Sequence, residues 1–392
     1  MKGYPSAFVE QLAIIRKVRT WQEDKKLSAT QVGELLAHYS NDLYQPNVFI
    51  KIGLFLFTGL ACSFFTSLMF LIFAPAFTNS FEQETLFLST VLSISFAIAL
   101  EYVIRVKHFV SVGIDNALLY ACLITIFYGV NMLLGAYLSS TTILLGMALI
   151  ALLATIRYGD SLVGGATLFL FTCTLISFLD RYELGKTLMP FITMGFAAAV
   201  YWLVLYCQKR EDAFYYETCY DFLEVMSLLL FYSGGNYLIV REGNALLHDI
   251  YSKPSPQIAN APLFYFFTLS IPLAYLFFGL KKQNRLILGV GGLTLAFSIF
   301  TYRYYFAIMP IEWALTLGGV ALIAIALFFI RYLKIERGGF IDKEQHGSLT
   351  QGLTEIALSH LVQDVLPKQP TKGEEGFRGG DFGGSGAGED YQ

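Results

Sequence analysis

The feature that most constrains the fold of this chain is a run of thirty residues without a charged side chain, Ile52 to Phe81. Lys51 stands before it and Glu82 after it. The hydrocarbon of a bilayer needs about 20 apolar residues of helix, so Ile52–Ala74 is long enough to cross it. Only 15% of all residues are charged, whereas a soluble protein carries about 25%. The sequence therefore predicts an integral membrane protein.

Further charge-poor windows follow this first span and predict an all-α, polytopic membrane helix bundle of about ten spans. The window 116–156 has 41 residues, too many for one helix, and Ser139–Thr142 near its middle predicts a dividing turn. The windows 85–100 and 225–240 become full spans only if Glu101 and Glu224 lie near a membrane face. We place the spans at 52–74, 85–104, 117–138, 143–157, 161–179, 189–207, 222–240, 262–280, 285–302 and 310–333.

The membrane domain, residues 49–334, is flanked by polar segments at both ends of the chain. Residues 1–48 predict a cytoplasmic helical hairpin, whose second helix begins at the capping box Ser28-Ala-Thr-Gln31. Residues 335–367 predict a cytoplasmic amphipathic helix that ends at Pro367. The Gly-rich stretch 368–392 has too few apolar residues to fold, so we expect it to be disordered.

The distribution of Lys and Arg predicts the orientation, since these residues favour the cytoplasmic side. With ten spans and the N-terminus inside, 22 of the 27 Lys and Arg lie in inner segments and 5 in outer segments. We therefore expect both termini in the cytoplasm. The third, fifth, seventh and ninth spans then run outward.

Four short matches in the same order predict a parallel internal repeat of four spans, 3–6 and 7–10. Phe127-Tyr128-Gly-Val-Asn131 matches Phe231-Tyr232-Ser-Gly-Gly-Asn236, and a Gly-Gly pair opens a similar run in the fifth and ninth spans. Arg181-Tyr182 closes the fifth span as Arg303-Tyr304 closes the ninth, and Met189-Pro190 opens the sixth span as Met309-Pro310 opens the tenth. The alternative is that apolar segments resemble each other through composition alone.

Polar side chains within membrane depth are costly and are therefore candidates for function. The predicted topology brings several of them toward the outer face, where arginine would suit a carboxylate or a phosphate. We take as candidate ligand-binding residues Tyr128, Asn131, Arg181, Tyr232, Asn236, Arg303 and Glu312.

Each of these residues also has a structural interpretation. Arg and Tyr at span ends are ordinary interfacial anchors, and an Asn inside a bundle often only bonds another helix. Gly164, Gly165, Gly291 and Gly292 are best explained by close helix packing, whereas Gly234-Gly235 could break the seventh span. Glu101 and Glu224 are candidate proton carriers, and the interpretation that we favour is that both are interfacial and solvated.

The sequence contains no signature of an enzyme, with no G-x-S-x-G, no H-E-x-x-H and no phosphate-binding loop. The five cysteines form no C-x-x-C pair, so we read them as apolar filling and expect no metal or cofactor. A net charge of −3 gives no reason to expect nucleic acid as a partner.

The layout resembles a class of uncharacterised bacterial polytopic membrane proteins in which a short cytoplasmic helical hairpin precedes many spans. The resemblance is carried by Trp21-Gln-Glu-Asp-Lys-Lys-Leu-Ser-Ala-Thr-Gln31 and by the spans that begin at Ile52. It implies a location in the bacterial inner membrane and no particular activity.

Two functional hypotheses follow. The first is a carrier or binding protein for a small or lipid-like anionic molecule, based on the repeat and the outer arginines. The alternative is a non-transporting scaffold or sensor that recruits a cytoplasmic protein, or a second copy of the chain, through the hairpin and tail. In both, the bilayer surrounds residues 49–334.

Overall fold

The computed structural model describes residues 3–4, 15, 18, 22, 31–32, 46–73, 81–251, 255–258, 260–306, 316, 319–320 and 323. Over these residues the protein forms ten α-helices and a short 3-10 helix at Glu211–Tyr216. The α-helices are α1 (Val48–Phe73), α2 (Phe81–Val106), α3 (Ile114–Leu134), α4 (Ser140–Tyr158), α5 (Ser161–Leu179), α6 (Glu183–Cys207), α7 (Glu217–Gly235), α8 (Tyr237–Leu247), α9 (Ala261–Lys282) and α10 (Arg285–Phe306).

The predicted membrane helix bundle is confirmed. Eight of these helices are long and apolar enough to cross a membrane, and the bent pair α7–α8 would make a ninth span. The predicted tenth span, 310–333, falls almost wholly outside the described residues, as do the amphipathic helix 335–367, the tail 368–392 and most of the hairpin 1–48.

Two boundaries differ from the prediction for identifiable reasons. The third span ends at Leu134 rather than residue 138, because Ser139 caps α4 by accepting a hydrogen bond from the Thr142 amide. A turn divides the window 116–156 as predicted, but it spans residues 135–139, and Ser140–Thr142 belong to α4. The sixth span begins at Glu183, so the interpretation of Met189-Pro190 as a helix start is wrong. Pro190 lies inside α6, where it costs that helix one backbone hydrogen bond.

Helix α7 is the centre of the second half of the bundle, since it packs against α5, α6, α8, α9 and α10. Antiparallel hairpins α2–α3, α4–α5, α6–α7 and α9–α10 pack along their lengths. Helix α1 lies at an edge against α2 and α3, and only Cys62 of its side chains is buried. Its exposed Phe57 and Phe64 suit a surface that faces lipid rather than water.

The α4–α5 and α9–α10 hairpins turn in the same way. The first turn residue, Gly159 or Gln283, has a left-handed backbone conformation. The second, Asp160 or Asn284, caps the following helix: Asp160 accepts from the Val163 amide at 2.8 Å, and Asn284 accepts from the Leu286 amide at 2.8 Å. These are the second and third spans of each proposed unit. The four-span repeat itself stays a prediction.

Three of the four glycines assigned to helix packing lie at close contacts. A β-carbon on Gly164 would stand 2.8 Å from the Cys219 sulfur of α7, and one on Gly165 would meet the Phe222 ring. On Gly291 it would stand 3.0 Å from the backbone nitrogen of Leu276 in α9. Gly292 has no described atom within 4 Å of that position, so the packing interpretation is not supported there.

The adjacent glycines Gly291 and Gly292 provide a matched test of this packing. Gly291→Ala should lower the free energy of unfolding by about 1–3 kcal/mol, because the new methyl group must push α9 and α10 apart. Gly292→Ala should be neutral or stabilising by up to about 1 kcal/mol, because alanine favours helix. Unfolding of both purified variants in detergent measures the difference, and equal effects would contradict the proposed close approach at Gly291.

Candidate functional site

The seventh span is broken at Asn236. Helix α7 ends at Gly235, α8 begins at Tyr237, and the two axes are bent by 70°. Both glycines before the break face neighbouring helices, since a β-carbon on Gly234 would stand 2.7 Å from Met194 and one on Gly235 would meet Ile271. The prediction that Gly234-Gly235 breaks this helix is confirmed, and the prediction of one continuous span over 222–240 is wrong.

Asn236 supplies the hydrogen bonds that the break removes. Its side chain is fully buried, and its Oδ1 accepts from the amides of Leu238 at 3.0 Å and Ile239 at 3.2 Å. The side-chain Nδ2 donates to Tyr232 Oη at 2.8 Å and to Thr301 Oγ1 at 3.1 Å. Asn236 is therefore both the N-cap of α8 and a link between α7 and α10.

These contacts belong to a larger group of buried polar side chains from α7, α9, α10 and the break itself. Thr268 Oγ1 accepts from the Tyr237 amide at 2.9 Å, which satisfies another amide at the start of α8. Ser298 Oγ lies 2.8 Å from Tyr232 Oη and donates to the Thr268 carbonyl at 2.5 Å. We call this group the broken-helix network, and its members are Tyr232, Asn236, Thr268, Ser298 and Thr301.

A second group, rich in tyrosine, continues from the network along α8. The Arg241 guanidinium lies 4.5 Å from the centre of the Tyr305 ring, and its Nη1 donates to Tyr237 Oη at 3.0 Å. Tyr237 stacks on Tyr265 with ring centres 4.0 Å apart. We call this group the Arg241 cluster, and its members are Tyr237, Arg241, Glu242, Ser255, Tyr265, Tyr302 and Tyr305.

The structure brings two of the seven candidate residues together and separates the others from them. Tyr232 and Asn236 are bonded partners in the broken-helix network. Their proposed counterparts, Tyr128 and Asn131, are exposed on α3. The two copies of the Phe-Tyr motif are therefore in different environments, and Glu312 lies outside the described residues.

The two candidate arginines also differ in their surroundings. Arg181 is exposed at the end of α5 and donates from Nη2 to Thr141 Oγ1 at 2.6 Å. Arg303 is partly buried, and among the described residues nothing accepts a hydrogen bond from its buried Nε. Arg303 follows Thr301 by two residues, or ~200° around the helix, so it lies on the side of α10 away from Asn236. Ligand binding by either arginine stays a prediction.

Sequence reasoning missed Arg241, Glu242 and Ser255, which it left in a loop after the seventh span. The available signal was the spacing of Tyr237 and Arg241, which places both on one face of a helix. That spacing becomes informative only when Asn236 is read as an N-cap that starts a new helix.

The opposite end of the bundle carries a cluster of buried acidic groups. Asp115 accepts from Tyr4 Oη at 2.8 Å and from the amides of Ser111 at 2.7 Å and Val112 at 3.0 Å. Burial, followed by the nearby charge of Asp115, raises the pKa of Tyr4 well above its ordinary value. Tyr4 thereby attaches the first residues of the chain to the start of α3.

Asp160 lies at the same end, in the turn between α4 and α5. It accepts from Asn116 Nδ2 at 2.8 Å and from Tyr120 Oη at 3.0 Å, besides capping α5. Burial raises the pKa of Asp160 above its ordinary value, although the hydrogen bonds from Val163 and Tyr120 oppose the shift. The arrangement therefore favours proton uptake by this carboxylate.

The two glutamates considered as solvated interfacial groups have unlike environments. Glu101 is partly exposed and pairs with Arg157 and Arg105. Glu224 is only 3% exposed and accepts a hydrogen bond from Asn284 Nδ2 at 3.3 Å. The solvated interpretation is wrong for Glu224, because α7 packs against α10 at that point. No group of three or more His, Cys, Asp or Glu suited to a metal ion occurs among the residues that the structure describes.

Replacement of Asn236 tests whether its side chain maintains the broken helix. Asn236→Ala should lower the free energy of unfolding by about 2–4 kcal/mol, because it removes the cap and leaves buried hydroxyls without partners. Asn131→Ala is the matched control, since an exposed side chain should change stability by less than about 0.5 kcal/mol. Similar losses in both variants, measured by unfolding in detergent, would refute the assigned role.

The raised pKa of Asp160 predicts a specific pH dependence. The folded protein takes up a proton at a higher pH than the unfolded chain, so ionised Asp160 is a cost at neutral pH. That cost disappears as the pH falls through the raised pKa toward the ordinary value of about 3.9. Relative to Asp160→Asn, which keeps a capping oxygen, wild-type stability should rise from pH 7 to about pH 4. Parallel pH profiles of the two proteins would exclude titration of Asp160 in this range.

No protein-family model, no curated protein and no solved structure matches the chain. The described contacts are therefore the basis for the functional argument. Membership in the bacterial class suggested by the layout stays a prediction.

Proposed function

We propose that this integral membrane protein is a carrier or binding protein for a small or lipid-like anionic molecule. The observation that carries the proposal is the broken span α7–α8, with its fully buried Asn236 and 70° bend. Transporters commonly build their sites from discontinuous helices, because a break places polar backbone and side chains inside the membrane. A continuous helix would need none of the polar network found here.

The charge near the break supports an anion as the ligand. Arg241 lies on α8, and Arg303 lies in the last turn of α10, on the side of that helix away from Asn236. The buried Nε of Arg303 has no hydrogen-bond partner within the described part of the chain, which is costly for a charged group and favours binding of an acceptor. Arg241 and Arg303 thus supply two positive charges at the Asn236 end of the bundle.

The location of the site follows from the proposed orientation. With 22 of 27 Lys and Arg on the cytoplasmic side, both termini lie in the cytoplasm and the break lies near the outer face. We propose the bacterial inner membrane as the location. The ligand would then reach the site from the outer face or from the outer leaflet.

The second candidate function is that of a scaffold or sensor, and one contact favours it. The Gly3 amide donates to the Arg157 carbonyl at 2.9 Å, next to the bond from Tyr4 to Asp115. The first residues of the chain are thus attached to the membrane domain, and α1 begins at Val48. A partner that binds between these two points could act on the bundle through Tyr4.

An anion panel tests the leading proposal. Purified protein in nanodiscs of neutral lipid is heated with a series of carboxylates, phosphates and anionic lipids. At least one member should raise Tm by several degrees, since binding to the folded state stabilises it. Arg303→Gln should reduce that shift, and Arg105→Gln, which changes an exposed arginine at the opposite end, should not.

The same measurement can reject the proposal. If no anion raises Tm at concentrations up to the millimolar range, the carrier hypothesis loses its support. If, in addition, removal of residues 1–45 abolishes capture of a defined protein partner, the scaffold hypothesis becomes the better one.

A further inference from the structure

Arg241 binds an uncharged backbone carbonyl through the N–H groups with which arginine usually binds an anion. Its Nε donates to the Ser255 carbonyl at 3.1 Å, and its Nη2 donates to the same oxygen. These two N–H groups form the fork with which arginine binds a carboxylate or a phosphate in a bidentate manner. The main chain at Ser255 thus occupies a position suited to an oxyanion.

Arg241 forms no ion pair among the described residues, and the nearby Glu242 carboxylate accepts from Ser255 and Tyr305 instead. Among the described residues its partners are the Ser255 carbonyl, the Tyr237 hydroxyl and the faces of the Tyr237 and Tyr305 rings. Hydroxyl groups, carbonyl groups and aromatic rings stabilise a guanidinium less than an anion does. Replacement of the carbonyl by an oxyanion would therefore gain interaction energy at this point.

The neighbouring side chain, Glu242, keeps Ser255 in place. Ser255 Oγ donates to Glu242 Oε1 at 2.7 Å, and Tyr305 Oη donates to the same carboxylate oxygen at 2.6 Å. Ser255 is consequently buried, with 4% of its surface exposed. Two consecutive residues of α8 thus bind one serine, Arg241 through the carbonyl and Glu242 through the hydroxyl.

The position of α8 determines which way Arg241 faces. The bend turns α8 away from α7, and its exposed apolar residues Ile239 and Leu246 lie on the side opposite Tyr237 and Arg241. A helix with this pattern lies along a membrane surface with its apolar side in the lipid. Arg241 then faces the bundle at the depth of the lipid headgroups.

We infer that Arg241 is the anion-recognising residue of the proposed carrier, and that a molecule bearing a carboxylate or phosphate displaces the Ser255 carbonyl from it. This inference rests on the proposed function and adds the recognition residue and the chemical group. The oxyanion comes from a soluble molecule or from a lipid headgroup. Ser255 acts as an internal competitor, so the apparent affinity depends on how firmly Glu242 holds it.

Because the Ser255 carbonyl competes with the anion for Arg241, Ser255→Ala should bind the anion more tightly than wild type. The variant loses the hydrogen bond to Glu242 but keeps the carbonyl, so the carbonyl should leave Arg241 more readily. One hydrogen bond of ordinary strength corresponds to an anion affinity about threefold to tenfold tighter than that of wild type. A serine that served only to fix the loop would give the same affinity or a weaker one.

The experiment uses the full-length protein in neutral-lipid nanodiscs and three probes. Inorganic phosphate and acetate are titrated in solution, and phosphatidic acid is added to the lipid in a separate arm, with Tm as the readout. Ser255→Ala should shift the midpoint to lower concentration for the probe that binds. Arg241→Lys, which keeps the charge without the fork, should weaken binding about tenfold, and Arg210→Gln is the charge control at the other end.

The outcomes separate the inference from the proposed function. A response to phosphate or acetate identifies a soluble ligand, and a response to phosphatidic acid alone identifies a headgroup; either supports the inference if the variants behave as stated. Binding that is unchanged in Ser255→Ala and Arg241→Lys overturns the inference and leaves the proposed function standing. No response in wild type or in Ser255→Ala overturns both. If Arg241→Lys does not fold, the comparison of anion affinity between Ser255→Ala and wild type still tests the inference.

Discussion

A bilayer offers no hydrogen bonds to the backbone, and this constraint determines the structure around Asn236. Where α7 stops at Gly235, the first amides of α8 would have no partner in hydrocarbon. The protein satisfies them with one buried side chain and with Thr268 Oγ1. The hydroxyl groups that α9 and α10 bring to the same point therefore stabilise the break. The aromatic and charged groups along α8 depend on that arrangement.

The central position of α7 connects this site with the opposite end of the bundle. The same helix packs against Gly164 near its start, binds Asn284 through Glu224, and ends at the Asn236 network. A rigid helix that contacts five neighbours transmits a displacement at one end to the other, because packed interiors deform little. In the proposed carrier, α7 is accordingly the element through which anion binding at α8 would reach the turns at the opposite end of the bundle.

The sequence was sufficient for features that depend on composition along the chain. The charge-free run after Lys51 predicted α1, and the polar residues around Ser139 predicted the turn before α4. It was insufficient where the environment of a residue depends on which other helix packs against it. Glu224 resembles a solvated span end until α10 covers it, and Gly291 differs from Gly292 only through the approach of α9. The Arg241–Ser255 contact joins two residues across a loop, and no local pattern encodes it.

The central claim is that the seventh span is broken at Asn236, and a distance between its two halves tests it most directly. Thr218 on α7 and Leu246 on α8 are exposed and can carry spin labels. The distance between the two labels is measured by pulsed electron–electron double resonance in nanodiscs. With a rise of 1.5 Å per residue, one straight helix would place the two backbone positions about 42 Å apart. The 70° bend predicts about 35 Å. A single distribution centred near the straight-helix distance would contradict the account.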